Sequence, residues 1–213
     1  MNAPAPAEVL RLSDLSFAYA GQAPLASNWS AAIGAGVTLL HGDTGSGKST
    51  WLRVFAGRLP ATRGQLTLAG ARLADDPEAY RRQVFFCEST TDAFDPVTAR
   101  DATAALSADD ARFSEARWRE LVDGFALAPH LDKPVYMLST GSRRKVWLAA
   151  ALASGRPLIL LDEPTGALDA ASIRTLHGAL DALARQARQA VVVASSERPE
   201  RIAFAATIAL PPS

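Results

Sequence analysis

One cysteine, two methionines and three histidines in 213 residues leave little room for several kinds of chemistry. With Cys87 alone, an internal disulfide is excluded, and the chain fits a reducing compartment. Phe85 and Phe86 beside Cys87 predict a buried thiol rather than a reactive one. A net charge is also lacking, because 22 Lys and Arg cancel 22 Asp and Glu. No global field draws in nucleic acid or anionic lipid. Nor does any run approach the roughly 20 apolar residues of a spanning helix. The start, Met-Asn-Ala-Pro-Ala-Pro-Ala-Glu, has neither the basic segment nor the apolar core of a signal peptide. A cytoplasmic protein is expected, with any membrane role supplied by another chain. Internal repeats are absent too, which excludes solenoid and propeller arrays.

Hydrophobic residues at 48% and charged ones at 21% are enough to fill one sizeable core. Leu15, Phe17 and Tyr19 alternate with small or polar residues, as in a half-buried strand. Val37–Leu40, Val84–Cys87, Leu158–Leu161, Val191–Ala194 and Ala206–Leu210 are short apolar runs of the kind that strands buried on both faces require. Ile173, Leu176, Leu180, Leu183 and Ala187 recur three and four apart, forming one helix stripe. Residues 89 to 135 are richer in alanine and charge, with helical stretches around Ala99–Leu106 and Glu115–Phe125. Residues 1 to 8 are expected to fray. Alternating strands and helices predict an α/β fold with a mostly parallel sheet and right-handed crossovers.

Gly42, Asp43, Thr44, Gly45, Ser46, Gly47, Lys48 and Ser49 fit the pattern Gly-x4-Gly-Lys-[Ser/Thr], between an apolar run and a helix-like run from Thr50. Glycines let the backbone curl so that several N–H groups face a phosphate, and the following helix adds its positive end. Lys48 would reach the β- and γ-phosphates and Ser49 would bind Mg²⁺. A glycine-rich turn with a surface lysine is the alternative, and the strand–loop–helix context argues against it. Leu158–Leu161 then delivers Asp162 and Glu163 at a strand tip, where open α/β sheets bind ligands. Asp162 is expected to hold Mg²⁺ opposite Ser49, and Glu163 to orient or deprotonate the attacking water. Asp162 follows Lys48 by 114 residues (162 − 48).

Leu138-Ser139-Thr140-Gly141-Ser142 precedes that acidic strand, and Glu163-Pro164-Thr165-Gly166-Ala167-Leu168-Asp169 follows from it. Both resemble ATP-binding cassette (ABC) ATPases, whose signature is usually Leu-Ser-Gly-Gly-Gln and whose D-loop follows the catalytic glutamate. The resemblance covers nearly the whole chain from about Val9. It implies a P-loop NTPase of ABC type: a mostly parallel sheet core with an N-terminal antiparallel sheet and a helical subdomain. The whole chain, 1–213, would be one nucleotide-binding domain, its core at about 9–88 and 152–213 and its helical subdomain at about 89–151. It further implies that Tyr19 stacks on adenine, although a strand residue packing inward is the alternative. Thr50 joins the ATP-binding loop. Ser139, Gly141 and Asp169 complete the site of a second subunit, so that two ATPs are sandwiched in a head-to-tail, homodimeric pair.

Two positions depart from the family. Its glutamine-loop residue is Glu88 here, which could still ligate Mg²⁺ but adds negative charge. Its switch histidine falls at Ser196, whose hydroxyl has shorter reach and cannot become cationic. Histidines 41, 130 and 177 do not align with that position. The cations Arg143, Arg144 and Lys145 are read as a solvated helix face, with no nucleic-acid contact. The expected function is ATP binding and hydrolysis, with ATP and Mg²⁺, for a transporter whose integral-membrane subunits lie on other chains. The protein would sit peripherally on the cytoplasmic face. The alternatives are an ATP-gated dimerising module with little hydrolysis, or a soluble ABC ATPase outside transport. Turnover is expected to be slow because of Glu88 and Ser196.

Overall fold

The fold is built on period-two burial. In the computed structural model, described for residues 7–88, 91–199 and 201–210, consecutive residues of each central strand feed opposite hydrophobic clusters. Ile159, Leu161, Val191 and Val193 belong to one, Leu158, Leu160, Val192 and Ala194 to the other. Each of these strands is covered on both faces, which is why its sequence reads as an unbroken apolar run, whereas the same expectation for Ala206–Leu210 is corrected, because Ala206, Thr207 and Ala209 are exposed at the sheet's edge. Val191, Val192 and Val193 are wholly buried, each contributing about 1.5–3 kcal/mol relative to exposure.

The order along the chain is β1 (Glu8–Phe17), β2 (Ala26–Gly34), β3 (Gly36–His41), α1 (Lys48–Phe55), β4 (Arg63–Leu68), β5 (Ala71–Arg72), α2 (Pro77–Arg82) and β6 (Val84–Phe86). Then come α3 (Ala99–Ser107), α4 (Glu115–Gly124), α5 (Thr140–Ala153), β7 (Leu158–Asp162), α6 (Ala170–Gln186), β8 (Ala190–Ser195) and β9 (Ala206–Ala209). A parallel sheet has the order β6-β7-β8-β3-β9. An antiparallel sheet, β2-β1-β4-β5, covers one face of it together with α1. Trp29 of β2 meets Trp51 of α1 edge to face with centroids 4.8 Å apart, joining that sheet to the helix. Helices α4, α5 and α6 share the hydrophobic cluster on the other face.

Of the start expected to fray over residues 1 to 8, residues 1–6 lie outside the described residues, and at Glu8 the expectation is corrected, since Glu8 begins β1 and pairs with Gly34. Of the expected helix stripe, Leu176, Leu180 and Leu183 are buried. Ala187 lies past the helix as its left-handed cap, φ 46°. Among the described residues, no helix is long and apolar enough to cross a membrane.

Candidate nucleotide site

Three parallel strands end side by side, and that alone brings the site together. His41 pairs in register with Ser195, and Asp162 with Ala194. The chain leaving β3 becomes the phosphate loop, the chain leaving β7 carries Glu163, and the chain leaving β8 carries Ser196. Loops from adjacent parallel strands emerge together at the sheet's C-terminal edge.

Gly45 and Gly47 have φ of 89° and 90°, a left-handed region open to glycine at little cost. Gly47 caps α1 with no side-chain hydrogen bond, so the first turn keeps N–H groups for a ligand. Lys48 is buried and donates to the carbonyls of Gly42 at 2.7 Å and Asp43 at 2.9 Å. Its ammonium lies 3.4 Å from Glu163 Oε1. Thr44, Gly45, Gly47, Lys48, Ser49 and Thr50 face Glu163 and Ser196 across a cleft of 420 Å³. Asp43 and Ser46 close the loop behind them, the Ser46 N–H donating to the Asp43 carbonyl at 3.1 Å. Tyr19, just beyond β1 and 39% exposed, shares a 2.9 Å hydrogen bond with the Thr50 hydroxyl. This hydrogen bond holds the half-exposed Tyr19 side chain beside the loop.

Glu163 has φ 41°, a strained value for a residue with a Cβ, worth about 1 kcal/mol or more. Its N–H donates to the Ala194 carbonyl at 2.9 Å, and its own carbonyl accepts from Gly166 at 3.1 Å and from Arg144 Nη1. This kink aims the carboxylate at the cleft. There Oε1 accepts the Ser196 N–H at 2.9 Å and Oε2 the Ser195 hydroxyl at 3.4 Å. Burial holds the Asp162 carboxyl above the usual carboxylate range, while a hydrogen bond from Ser49 works against it. Asp162 Oδ1 is shielded from solvent and has no partner. Ser49 and Asp162 suit a small hard cation that takes few protein oxygens and completes its shell with phosphate and water. Among the described residues, no group of three or more His, Cys, Asp and Glu could cage a metal by itself.

Other expected site residues lie outside this cleft. Glu88 takes the Arg53 guanidinium of α1 in both its oxygens, at 3.1 and 3.3 Å. Ser139 caps α5 by accepting the Ser142 N–H at 3.1 Å. A Cβ at Gly141 would stand 2.5 Å from the Ala167 carbonyl, so glycine is what lets α5 approach the loop before α6. Asp169 caps α6 through the Ser172 N–H and pairs with Lys145 at 2.7 Å. Lys145, with Ser172, holds that carboxyl well below the usual range.

The solvated face read at Arg143–Lys145 is corrected. Arg143 pairs with Asp95 at 3.0 Å, Arg144 grips the Glu163 carbonyl, and Lys145 grips Asp169. The available signal was helix spacing, because Arg144 and Lys145 follow Gly141 by three and four and share its face. Arg53 gave no signal, being 35 residues from Glu88. Cys87 is partly buried and burial pushes its thiol up to about 12, the inert state its neighbours predict.

The parallel sheet, the phosphate loop and the acidic strand tip define a phosphate-loop nucleotide-binding ATPase. Residues 27–166 match the family model described as ABC transporter, and the chain belongs to that family. It is 40% identical over 176 residues to the cytochrome c biogenesis ATP-binding export protein CcmA of Rhodospirillum rubrum, covering 82% of this chain and 74% of that protein. With the zinc import ATP-binding protein ZnuC of Halorhodospira halophila it shares 30% identity over 190 residues, 89% of this chain and 68% of the other. Among solved structures, the ATP-binding subunit of an ABC transporter superposes with TM-score 0.76 at 26% identity, over 88% of this chain and 79% of that one. A dimeric ATP-binding cassette in a post-hydrolysis state, bound to ADP and Pi, has the same fold, with TM-score 0.73 at 23% identity and 88% of each chain covered. The chain is thus an ATP-binding, ATP-hydrolysing subunit of the ABC transporter type.

Proposed function

We propose that this subunit powers export in cytochrome c biogenesis, working as a homodimer on integral-membrane subunits at the cytoplasmic face. The likeness to CcmA supports the transport role. The single observation that carries the chemistry is Glu163, whose carboxylate accepts the Ser196 N–H at 2.9 Å and faces Lys48 at 3.4 Å across the cleft. Glu163 takes a proton from water as its oxygen attacks the γ-phosphorus, and ADP leaves with the bridging oxygen. Lys48 and the first-turn N–H groups of α1 offset the charge that builds on the phosphate oxygens. Ser49 and Asp162 would hold Mg²⁺, which would supply charge neutralisation for the nucleotide's phosphates. Glu88, neutralised by Arg53, would reach the metal only after leaving that pair. Tyr19 supports adenine. Ser139 and Gly141, with Asp169 behind them, present the α5 N-terminus to the γ-phosphate on the opposite subunit. The helical subdomain, about 89–151, carries that end.

The test is steady-state phosphate release from the purified protein. Glu163→Gln is expected to lower kcat by about 100-fold or more while ATP binding is retained. Equal rates for wild type and variant would sink the assignment of Glu163. In cells, loss of the protein should deplete c-type cytochromes. Normal levels there would overturn the export reading and leave the ATPase reading standing. A second reading, an ATP-gated dimer with slow turnover, is favoured by Ser196, because Glu163 meets a backbone N–H there in place of an imidazole.

A further inference from the structure

The Ser195–Ser196 peptide is held from both ends. Its N–H, that of Ser196, donates to Glu163 Oε1 at 2.9 Å. Its carbonyl, that of Ser195, lies 3.2 Å from Nδ1 of His41. A carbonyl only accepts, so the imidazole must donate and carry its proton on Nδ1. His41 closes β3, beside Ser195 at the end of β8, and its own carbonyl accepts the Leu210 N–H at 2.7 Å. Its backbone is therefore fixed by strand pairing on one side and by this hydrogen bond on the other. The ring is half-buried and outside the cleft that Lys48, Glu163 and Ser196 line.

We propose that His41 is a positioning residue for hydrolysis. By gripping the Ser195 carbonyl, it fixes the plane of the peptide whose N–H orients the Glu163 carboxylate. This rests on the reading of Glu163 as the base. A peptide has one plane, so a donor at its oxygen sets the direction of its N–H. Donation to the oxygen also polarises the N–H and strengthens its bond to the carboxylate. Glu163 needs such support because its backbone is strained and its Oε2 has only a long 3.4 Å contact with the Ser195 hydroxyl. A base displaced by a fraction of an ångström loses its alignment with the attacking water, and rates fall steeply with such errors. A histidine is thus restored to this corner from a neighbouring strand, acting through the main chain.

Two arms test the proposal on the full-length protein. Nitrogen-detected NMR of the imidazoles near neutral pH should show His41 as the Nδ1–H tautomer. A ring protonated only on Nε2 would overturn it. This arm needs no variant and does not depend on Glu163 being the base. In the second arm, His41→Leu removes the donor and His41→Asn keeps an N–H near the same place. Leucine should lower kcat about tenfold with KM for ATP within about twofold, and asparagine should recover kcat to within about threefold. Wild-type kcat in His41→Leu, or equal losses in both variants, would overturn the positioning role if Glu163→Gln remains dead. Full turnover in Glu163→Gln would instead remove the base reading, and the tautomer would still decide the grip on the peptide.

Discussion

Helices α1 and α5 begin at the two N-termini proposed to meet phosphate, and they are built in opposite ways. The end of α1 has a left-handed glycine cap, no side-chain cap and its own buried lysine turned into the cleft. The end of α5 is capped by Ser139, and its three nearby cations are each tied to an internal partner: Asp95, the Glu163 carbonyl and Asp169. One end therefore supplies charge and uncapped N–H groups. The other supplies a helix dipole and an exposed Ser139 and Thr140. A phosphate met by α5 must arrive with its charge already offset. That division suits a site in which one subunit binds the nucleotide and the other recognises that it is bound. Within the chain, Arg144 also ties α5 to the backbone of Glu163.

The largest loss is expected at the acid beside α1. Asp162→Asn should reduce turnover by about 100-fold or more by removing a metal-holding oxygen, while stabilising the nucleotide-free protein. Burial raises this carboxyl above its ordinary 3.8, so the native state keeps its proton to higher pH than the unfolded chain does. The cost of the buried charge therefore grows as pH rises from 3.8 through the raised value. Asparagine escapes it. The thermal midpoint at pH 7 should rise by about 3 °C, and the gain should shrink on acidification. A lower midpoint at pH 7 would contradict this account of Asp162.

At α5, Gly141→Val should damage chiefly the other half. Its Cβ would meet the Ala167 carbonyl at 2.5 Å, pushing the helix end from its place. Nucleotide affinity of the single chain should stay within about twofold, while ATP-driven dimerisation is lost and turnover falls about tenfold or more. Light scattering in the Glu163→Gln background would show it. Dimerisation equal to that of the parent would mean that α5 does not complete a second subunit's site.

How much of this was legible in the sequence follows the same physics. Strands β3, β6, β7 and β8 could be read because burial on both faces leaves a continuous apolar run. Strand β2, mostly small and partly exposed from Ala26 to Gly34, has no such run to mark it. Six-residue α2, capped by Asp76, was too short for a period to register. The phosphate loop and the acids were readable because their chemistry is local in sequence. Arg53 with Glu88, Arg144 with the Glu163 carbonyl and His41 with the Ser195 carbonyl join distant segments. Two of these contacts use main-chain oxygens, which every residue has and no motif can mark.

Ser196 provides the smallest and sharpest test of that last point. Its side chain looked like a short substitute for a histidine, yet the contact to Glu163 runs through its backbone N–H. An alanine retains that N–H and the same backbone preferences. Ser196→Ala should therefore change kcat by no more than about twofold, with thermal stability unmoved within about 0.5 kcal/mol. A hydroxyl acting directly on the γ-phosphate would make the same substitution cost about tenfold, as loss of a hydrogen bond to a charged group does. Measured beside His41→Leu, the pair separates main chain from side chain. A mild Ser196→Ala and a damaged His41→Leu place the working group in the peptide, whereas the reverse order places it in the serine hydroxyl.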